Sequence, residues 1–176
     1  VSAGNDNGRA TFRNADKTLR EGIELSWNRN IWRNLTAEAS YSFIDATFDA
    51  DISNTDPAKV VAKGNYIPGV AKNQAFVALA WQPETGFNAG LDVRYIDKLY
   101  VDDINSDAAP SYTLTSANVG YVWKSADWKV RTFARVDNLF DEEYVGSVIV
   151  NDGNGRFFEP ADGVNWSAGL SLTKAF

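Results

Sequence analysis

The chain lacks cysteine and histidine altogether. Without cysteine it can form no disulfide, no thiolate nucleophile and no cysteine-ligated metal site, an absence compatible with an exported protein. Without histidine it lacks the commonest general base and the commonest metal ligand, and Ser–His and Cys–His nucleophiles are excluded. These absences exclude most enzyme classes. A glycosidase-type pair of carboxylates needs neither residue, but nothing in the sequence places two acids in a cleft. We predict that the protein is not an enzyme and that it has neither a cofactor nor a metal site.

Clustered positive charge and long apolar runs are also missing. The net charge of −6 argues against nucleic acid as a partner, because neutralising phosphates requires a surface rich in Lys and Arg. No stretch of about 18 apolar residues occurs, so no transmembrane helix is predicted. Aromatic residues are abundant by contrast, at 13% with six Trp.

Seven segments alternate apolar and polar residues, which is typical of β-strands whose two faces meet different environments. In residues 128–140, alternate apolar side chains such as Val130 and Val136 oppose charged ones such as Lys129 and Arg135. Internal glycines would weaken helices here. The predicted strands lie near 19–28, 35–48, 70–82, 87–100, 112–123, 128–144 and 164–176.

The connections alternate in length. Short turns are predicted at 28–34, 82–86 and 124–127, and long polar connections at 49–66, 102–110 and 145–163. Outer-membrane barrels have short turns on one side and long loops on the other. The predicted fold class is therefore all-β, an antiparallel up-and-down transmembrane β-barrel meander of about seven strands, located in the bacterial outer membrane.

Side-chain positions in this meander give the expected sites. Tryptophans beside the short turns would form a membrane girdle, since indole rings collect at the bilayer interface: Trp27, Trp32, Trp81, Trp123 and Trp128. Charged residues of the polar parity would face the lumen: Arg94, Arg131, Arg135 and Asp137. Three acidic residues, Glu21, Asp45 and Asp97, occupy positions of the alternation that otherwise carry apolar side chains. Each falls at the end of its strand next to a long connection, where it would lie above the hydrocarbon.

Two acidic loop motifs are candidate metal sites. Asp102-Asp103 is a carboxylate pair, and the Asn-Asp-Gly-Asn-Gly sequence at 151–155 has some likeness to a calcium loop. Neither is followed by the Glu that an EF-hand requires, so solvated turns are the better interpretation. Arg156, Phe157 and Phe158 are the candidate ligand contacts, with packing on their own loop as the alternative.

Several motifs, in order along nearly the whole chain, resemble those of TonB-dependent outer-membrane receptors of the siderophore-receptor type. The sequence Asn-Leu-Phe-Asp-Glu-Glu-Tyr at 138–144 is similar to the "NLFD..Y" signature of that family. Residues 14–24 resemble its "N…K…GxE" strand, residues 67–70 a proline-containing strand entry, and residues 165–176 its last strand. The Arg of the "PGRNW" sequence found in many members is absent before Trp166, and Lys174 replaces an aromatic residue.

This resemblance implies that residues 1–176 are the C-terminal part of a roughly 22-stranded barrel closed by a plug. Such a receptor imports a scarce nutrient, such as a ferric siderophore or another metal chelate, using energy from the inner membrane. The implied partners are outer-membrane lipid and lipopolysaccharide, the barrel-assembly machinery, the rest of the barrel, the plug and TonB. The assembly signal would comprise Leu170, Leu172 and Phe176.

Two other interpretations remain open from the residues. The chain could be a complete barrel of about eight strands with a structural or adhesive role, if residues 1–14, with Thr11-Phe12-Arg13, supplied the eighth strand. It could also be a soluble β-domain that binds carbohydrate. An isolated seven-stranded sheet would leave two edges that cannot face lipid.

Overall fold

The computed structural model describes residues 14, 15, 17–54 and 56–174, together with the backbone of residues 2–6 and 9–12. It confirms an all-β fold, with thirteen strands and a single 3₁₀ turn, Pro57–Lys59, in this part of the chain. No helix among these residues is long and apolar enough to cross a membrane.

Seven long strands form one antiparallel sheet in the order β13-β10-β9-β6-β5-β4-β3. Each long strand therefore pairs with its neighbour along the meander. The strands are β3 (Thr18–Trp32), β4 (Leu35–Phe48), β5 (Asn73–Trp81), β6 (Gly86–Ile96), β9 (Tyr112–Ser125), β10 (Trp128–Asp137) and β13 (Asn165–Lys174).

Six short strands form three separate hairpins outside this sheet. β1 (Ser2–Asp6) pairs with β2 (Arg9–Phe12), β7 (Leu99–Tyr100) with β8 (Ala108–Ala109), and β11 (Val145–Val148) with β12 (Phe158–Pro160). The last two hairpins lie within long connections of the meander. Among the described residues β1 and β2 pair with each other and not with the main sheet, so they do not supply its eighth strand.

The strand register joins the alternating residues into two continuous faces. Leu25 pairs with Tyr41, Tyr41 with Ala75, and Ala75 with Tyr95, and directly paired residues point to the same side of a sheet. The side that carries these four residues is called the apolar face below, and the other side the polar face. A shift of one residue in any pairing would exchange the two faces of that strand.

A β-bulge adjusts this pattern at the first short turn. The register of β3 with β4 shifts between Asn30 and Trp32, so that Trp32 pairs with Leu35. Strict alternation would have placed Ile31 there. The extra residue of a bulge reverses the parity of the strand, and here it brings the Trp32 indole to the apolar face.

Several strand ends differ from the sequence prediction. β3 continues to Trp32, which reduces the first turn from the predicted 28–34 to residues 33 and 34, and β5 begins at Asn73 rather than near residue 70. β6 ends at Ile96 and is followed by the separate strand β7. β10 ends at Asp137, not 144, because Asn138 has a φ of 51°, a left-handed conformation that interrupts an extended strand.

The buried side chains lie mainly in the long connections and not between the faces of the sheet. Phe48, the last residue of β4, forms a cluster with Ile52 and Val61 of the connection between β4 and β5, and these three side chains are 3–5% exposed. Val101, in the connection between β6 and β9, is fully buried. The long connections therefore fold into an ordered layer at one end of the sheet.

Candidate functional site

The apolar face is a broad exposed surface that spans all seven strands. Residues such as Phe87 (76% exposed), Trp166 (78%) and Leu170 (71%) have no covering layer within the described chain. A monomeric soluble protein rarely exposes a contiguous apolar patch of this extent. Its large exposed members are Leu19, Ile23, Leu25, Trp27, Trp32, Tyr41, Val77, Leu79, Phe87, Leu91, Val119, Tyr121, Trp123, Trp128, Trp166, Leu170 and Leu172.

Four of the five predicted girdle tryptophans lie beside the short turns. The rings of Trp32 and Trp81 are 5.7 Å apart, on either side of Leu35. Trp128 begins β10, and Trp123 pairs with Val130 two residues from that turn. The fifth, Trp27, lies away from the short turns.

Trp27 lies farther from the short-turn end of the sheet. It pairs with Ala39, four residues along β4 from Leu35. At about 3.4 Å per residue this places it roughly 14 Å farther along the strands than Trp32.

Aromatic and amide side chains form a second band at the other end of the apolar face. The Tyr41 hydroxyl donates to Asn73 Oδ1 at 2.7 Å, and Asn73 Nδ2 donates to the Asp97 carboxylate at 2.6 Å. Trp166 pairs with Val136 at this level, eight residues along β10 from Trp128. Eight residues span roughly 27 Å along the strand, or about 20 Å if the strand is tilted by ~40°.

The acids of the apolar parity are at the long-connection end, where they were predicted. Glu21 and Asp45 are direct cross-strand partners, an unfavourable like-charge arrangement. The Lys72 ammonium compensates part of it, at 3.4 Å from Asp45 Oδ2 and 3.1 Å from the Tyr66 hydroxyl. Hydrogen bonding to that hydroxyl is the main cause of the raised pKa of Lys72.

The polar face carries an ion-pair network that links β6 to β10 across β9. Arg135 Nη1 lies 3.0 Å from Asp92 Oδ1, and Arg135 Nε lies 2.7 Å from Asp137 Oδ1. These side chains are 22–38% exposed, so water screens the pairs only in part. Of the predicted polar-face residues, Arg135 and Asp137 are therefore brought together, and Asp92 is a partner that was not singled out from the sequence.

Arg94 and Arg131 occupy separate positions on the polar face. Arg94 is exposed and lies between two open depressions, of about 540 and 500 Å³. Arg131 lines a third depression of about 350 Å³ near the short turns, together with Lys124, Lys129 and Glu84. The four predicted residues thus share one face but do not form one cluster.

Two tyrosines border the polar face where the long connections begin. The rings of Tyr112, at the start of β9, and Tyr144 are 4.5 Å apart. Tyr144 lines the 500 Å³ depression that also contains Arg94 and Arg135. A smaller depression of about 260 Å³ is lined by both tyrosines and Glu143.

The NLFD segment forms a clamp at the end of β10. Asn138 is 4% exposed, donates from Nδ2 to the Glu142 carbonyl at 2.9 Å, and accepts from the Glu142 N–H at 2.8 Å. Asp141 Oδ1 accepts from the Val164 N–H at 2.9 Å, which fixes the residue that precedes β13. The motif therefore holds both ends of the longest connection together.

The candidate ligand contacts occupy the tip of the β11–β12 hairpin. The rings of Phe157 and Phe158 are 6.4 Å apart and nearly perpendicular. Phe158 is 41% exposed, Arg156 is exposed, and Phe157 is half-buried. The Arg156 N–H donates to the Asp152 carboxylate at 2.8 Å.

The two acidic loop motifs meet in space, which the sequence did not indicate. Asn151 accepts from the Asp103 N–H at 3.1 Å and donates to Asp103 Oδ2 at 3.1 Å. Asp102, Asp103 and Asp152 line a cavity of about 330 Å³ together with Lys59. No group of three or more acidic side chains among the described residues is arranged to hold a metal ion.

Two ion pairs, both made by one carboxylate, fix the start of the connection between β4 and β5. Asp49 lies 2.7 Å from Lys17 Nζ and 2.9 Å from Lys63 Nζ. Hydrogen bonds from Lys17 and then Lys63, with their positive charges, lower the pKa of Asp49 to about 2. A second tie joins this connection to the next, where Tyr66 and Asn105 exchange hydrogen bonds of 2.7 and 2.8 Å.

The seven-stranded sheet is open within the described chain. β3 and β13 each pair on one side, and no other described strand pairs with their outer edges. Leu170 and Leu172 lie on the apolar face of the edge strand β13, while Phe176 lies outside the described residues.

Residues 1–139 match the family described as "TonB dependent receptor-like, beta-barrel". The chain belongs to the TonB-dependent receptor family. This is a family of receptors and transporters and not of enzymes, and its members are outer-membrane proteins of Gram-negative bacteria that work with a plug domain and TonB.

Curated relatives of the chain are siderophore receptors. It is 29% identical to the ferrioxamine receptor of Yersinia enterocolitica over 76% of this chain and 18% of that protein. It is also 29% identical to the ferrichrome outer membrane transporter/phage receptor of Escherichia coli K12, over 72% of this chain and 16% of that protein. The chain thus spans less than a fifth of the length of these relatives.

Solved structures of siderophore receptors share the fold. The siderophore receptor PiuA from Acinetobacter baumannii superposes with a TM-score of 0.72 over 90% of this chain and 22% of that one, at 21% identity. The ferric preacinetobactin receptor BauA of the same organism also superposes with a TM-score of 0.72, over 98% of this chain and 24% of that one, at 18% identity.

Proposed function

We propose that this chain is a wall segment, from the C-terminal part of the barrel, of an outer-membrane receptor that imports a ferric siderophore. The observation that carries the proposal is the pair of faces on an open sheet. An uncovered apolar face suits contact with lipid, and a polar face with ion pairs and open depressions suits a lumen.

The two open edges support a role as part of a larger wall. Unpaired backbone groups cannot face hydrocarbon, so β3 and β13 require further strands beside them. Seven strands are about a third of a barrel of roughly 22. The chain matches less than a fifth of the length of these relatives, as expected for a segment of a longer protein.

Each set of predicted residues has a role in this proposal. The tryptophans Trp32, Trp81, Trp123 and Trp128 would lie at the periplasmic interface, because the short turns of such barrels are periplasmic. Trp27 would lie deeper in the bilayer. Outer-membrane lipid and lipopolysaccharide would cover the apolar face, and the plug domain would face Arg94, Arg131, Arg135 and Asp137.

The remaining predicted residues lie outside the bilayer or at the sheet edge. Arg156, Phe157 and Phe158 would be exposed to the ligand on the extracellular side. Leu170 and Leu172, with Phe176, would form the signal that the barrel-assembly machinery binds.

Uptake of radioactive iron tests the function. The full-length receptor that contains this chain would be produced in cells lacking their own siderophore receptors, with and without TonB. We expect iron uptake from at least one siderophore, such as ferrioxamine or ferrichrome, in the cells that have TonB and none in the cells that lack it. Receptor that is inserted in the membrane but gives no TonB-dependent uptake of any ferric siderophore would contradict the proposal.

A further inference from the structure

Negative charge is concentrated at the long-connection end of the wall. Between β10 and β13 the chain has six acidic residues and one arginine, and between β6 and β9 it has four aspartates and one lysine. The β4–β5 connection is balanced, with three of each sign. The rest of the chain is therefore net positive, since the whole carries only −6.

The depressions at this end have acidic linings as well. The 500 Å³ depression contains Asp92, Asp137 and Asp162 against Arg94 and Arg135, and the 260 Å³ depression contains Glu143. The inter-loop cavity has three aspartates against one lysine. Each has a net negative charge, although the chain offers basic residues elsewhere.

Two of the arginines at this end, Arg94 and Arg135, do little to offset that charge. Arg135 is held between Asp92 and Asp137, so its guanidinium is already neutralised by two carboxylates. Arg94 is then the one remaining cation in the lining of the 500 Å³ depression, which also includes the exposed Asp162. At the short-turn end the sign reverses, because Lys124, Lys129 and Arg131 line the 350 Å³ depression with Glu84 as the acid.

We infer that this wall selects ferric chelates by charge, favouring uncharged or cationic chelates over polyanionic ones. The inference rests on the proposed function. A chelate that enters from the long-connection side meets net negative charge first, and like charges raise the free energy of its approach and docking. The Tyr112–Tyr144 pair supplies an aromatic surface there that does not depend on ligand charge.

A matched pair of double variants isolates this effect. E143Q/D162N removes two exposed carboxylates at the long-connection end, neither of which holds the fold through a hydrogen bond or ion pair in the described structure. E38Q/D127N makes the same chemical changes near the short turns. The dissociation constant of the full-length, detergent-purified receptor would be measured for ferrichrome, which is uncharged, and for a triply anionic ferric tris-catecholate.

We expect wild-type receptor to bind ferrichrome more tightly than the tris-catecholate. E143Q/D162N should lower the dissociation constant of the tris-catecholate about fivefold in ~0.1 M salt. This magnitude follows if the two removed charges lie about 10 Å from the triply charged ligand and the Debye length is about 10 Å. The gain should grow at ~0.01 M salt, where screening is weaker. Ferrichrome binding should change less than twofold, and E38Q/D127N should change neither chelate by more than that.

Other outcomes separate the inference from the function. Tighter binding of the tris-catecholate by wild type, or equal effects of E143Q/D162N on both chelates, would overturn the charge selection in a receptor that still binds iron chelates. Failure to bind any ferric chelate, whatever its charge, would overturn the proposed function and the inference with it.

Discussion

Replacing Asn138 should release the clamp at the end of β10. Alanine removes two hydrogen bonds to the Glu142 backbone, each worth about 1 kcal/mol. It must also keep a φ of 51°, which costs a residue with a Cβ roughly 1 kcal/mol more than it costs asparagine. The local loss is therefore about 3 kcal/mol, and the connection between β10 and β13 should open about a hundredfold more often.

Hydrogen exchange of the full-length receptor, followed by mass spectrometry, measures this opening. The amides of Leu139, Asp141 and Glu142 are hydrogen-bonded in the clamp and should exchange about a hundredfold faster in N138A. N138G keeps the left-handed conformation and loses only the two hydrogen bonds, so it should accelerate exchange about thirtyfold.

A control in the same connection separates the clamp from a general effect of losing an asparagine. N154A replaces an exposed asparagine near the hairpin tip and should leave these amides unchanged. Exchange in N138A within threefold of wild type would refute the clamp, and so would equal acceleration by N154A.

Three further predictions follow from other parts of the structure. The stabilisation from Asp49 should be complete above its unfolded pKa of 3.8 and be lost as the pH falls toward about 2, so D49N should remove that part of the pH dependence of unfolding. G22A should lower the yield of folded receptor, because a Cβ at Gly22 would overlap the Phe43 carbonyl, whereas S26A on the same strand should not; equal yields would contradict this packing. W32F should remove the fluorescence that is quenched by lipids brominated near the headgroup, and W27F should remove the fluorescence that is quenched by lipids brominated deeper in the bilayer. Identical depth profiles for the two variants would contradict the register of β3.

The main sheet was predictable because its period-2 pattern is repeated in seven strands. An alternation such as that of residues 128–136 needs no long-range information, since side-chain direction follows from backbone geometry alone. Phe133 interrupted that pattern, and the structure supplies the reason: its ring lies over Gly169 of β13, where a Cβ would collide with it. The alternating positions of neighbouring strands fall on common faces, although Phe76 and Leu114 also lie on the polar face.

The loop layer could not be predicted in the same way. Its ties join residues far apart in sequence, such as Asn151 with Asp103 and Asn105 with Tyr66, and nothing local marks these partners. The end of β10 depended on the backbone angle of Asn138 and not on hydrophobic periodicity. The pairing of Asp92 with Arg135 could not be predicted for a related reason, because the two residues lie two strands apart.

The central claim is that one face of this sheet contacts lipid and the other lines a water-filled lumen. This chain has no cysteine, so single cysteines would be placed along β9 in a full-length receptor freed of any cysteine outside this chain. Each would be labelled with a nitroxide and tested for contact with oxygen and with a water-soluble nickel chelate. Positions 117, 119 and 121 should be accessible to oxygen, which concentrates in lipid, and positions 116, 118 and 120 to the nickel chelate or shielded by the plug. Equal accessibility of both sets to the nickel chelate would contradict the claim and show that the sheet does not form a membrane wall.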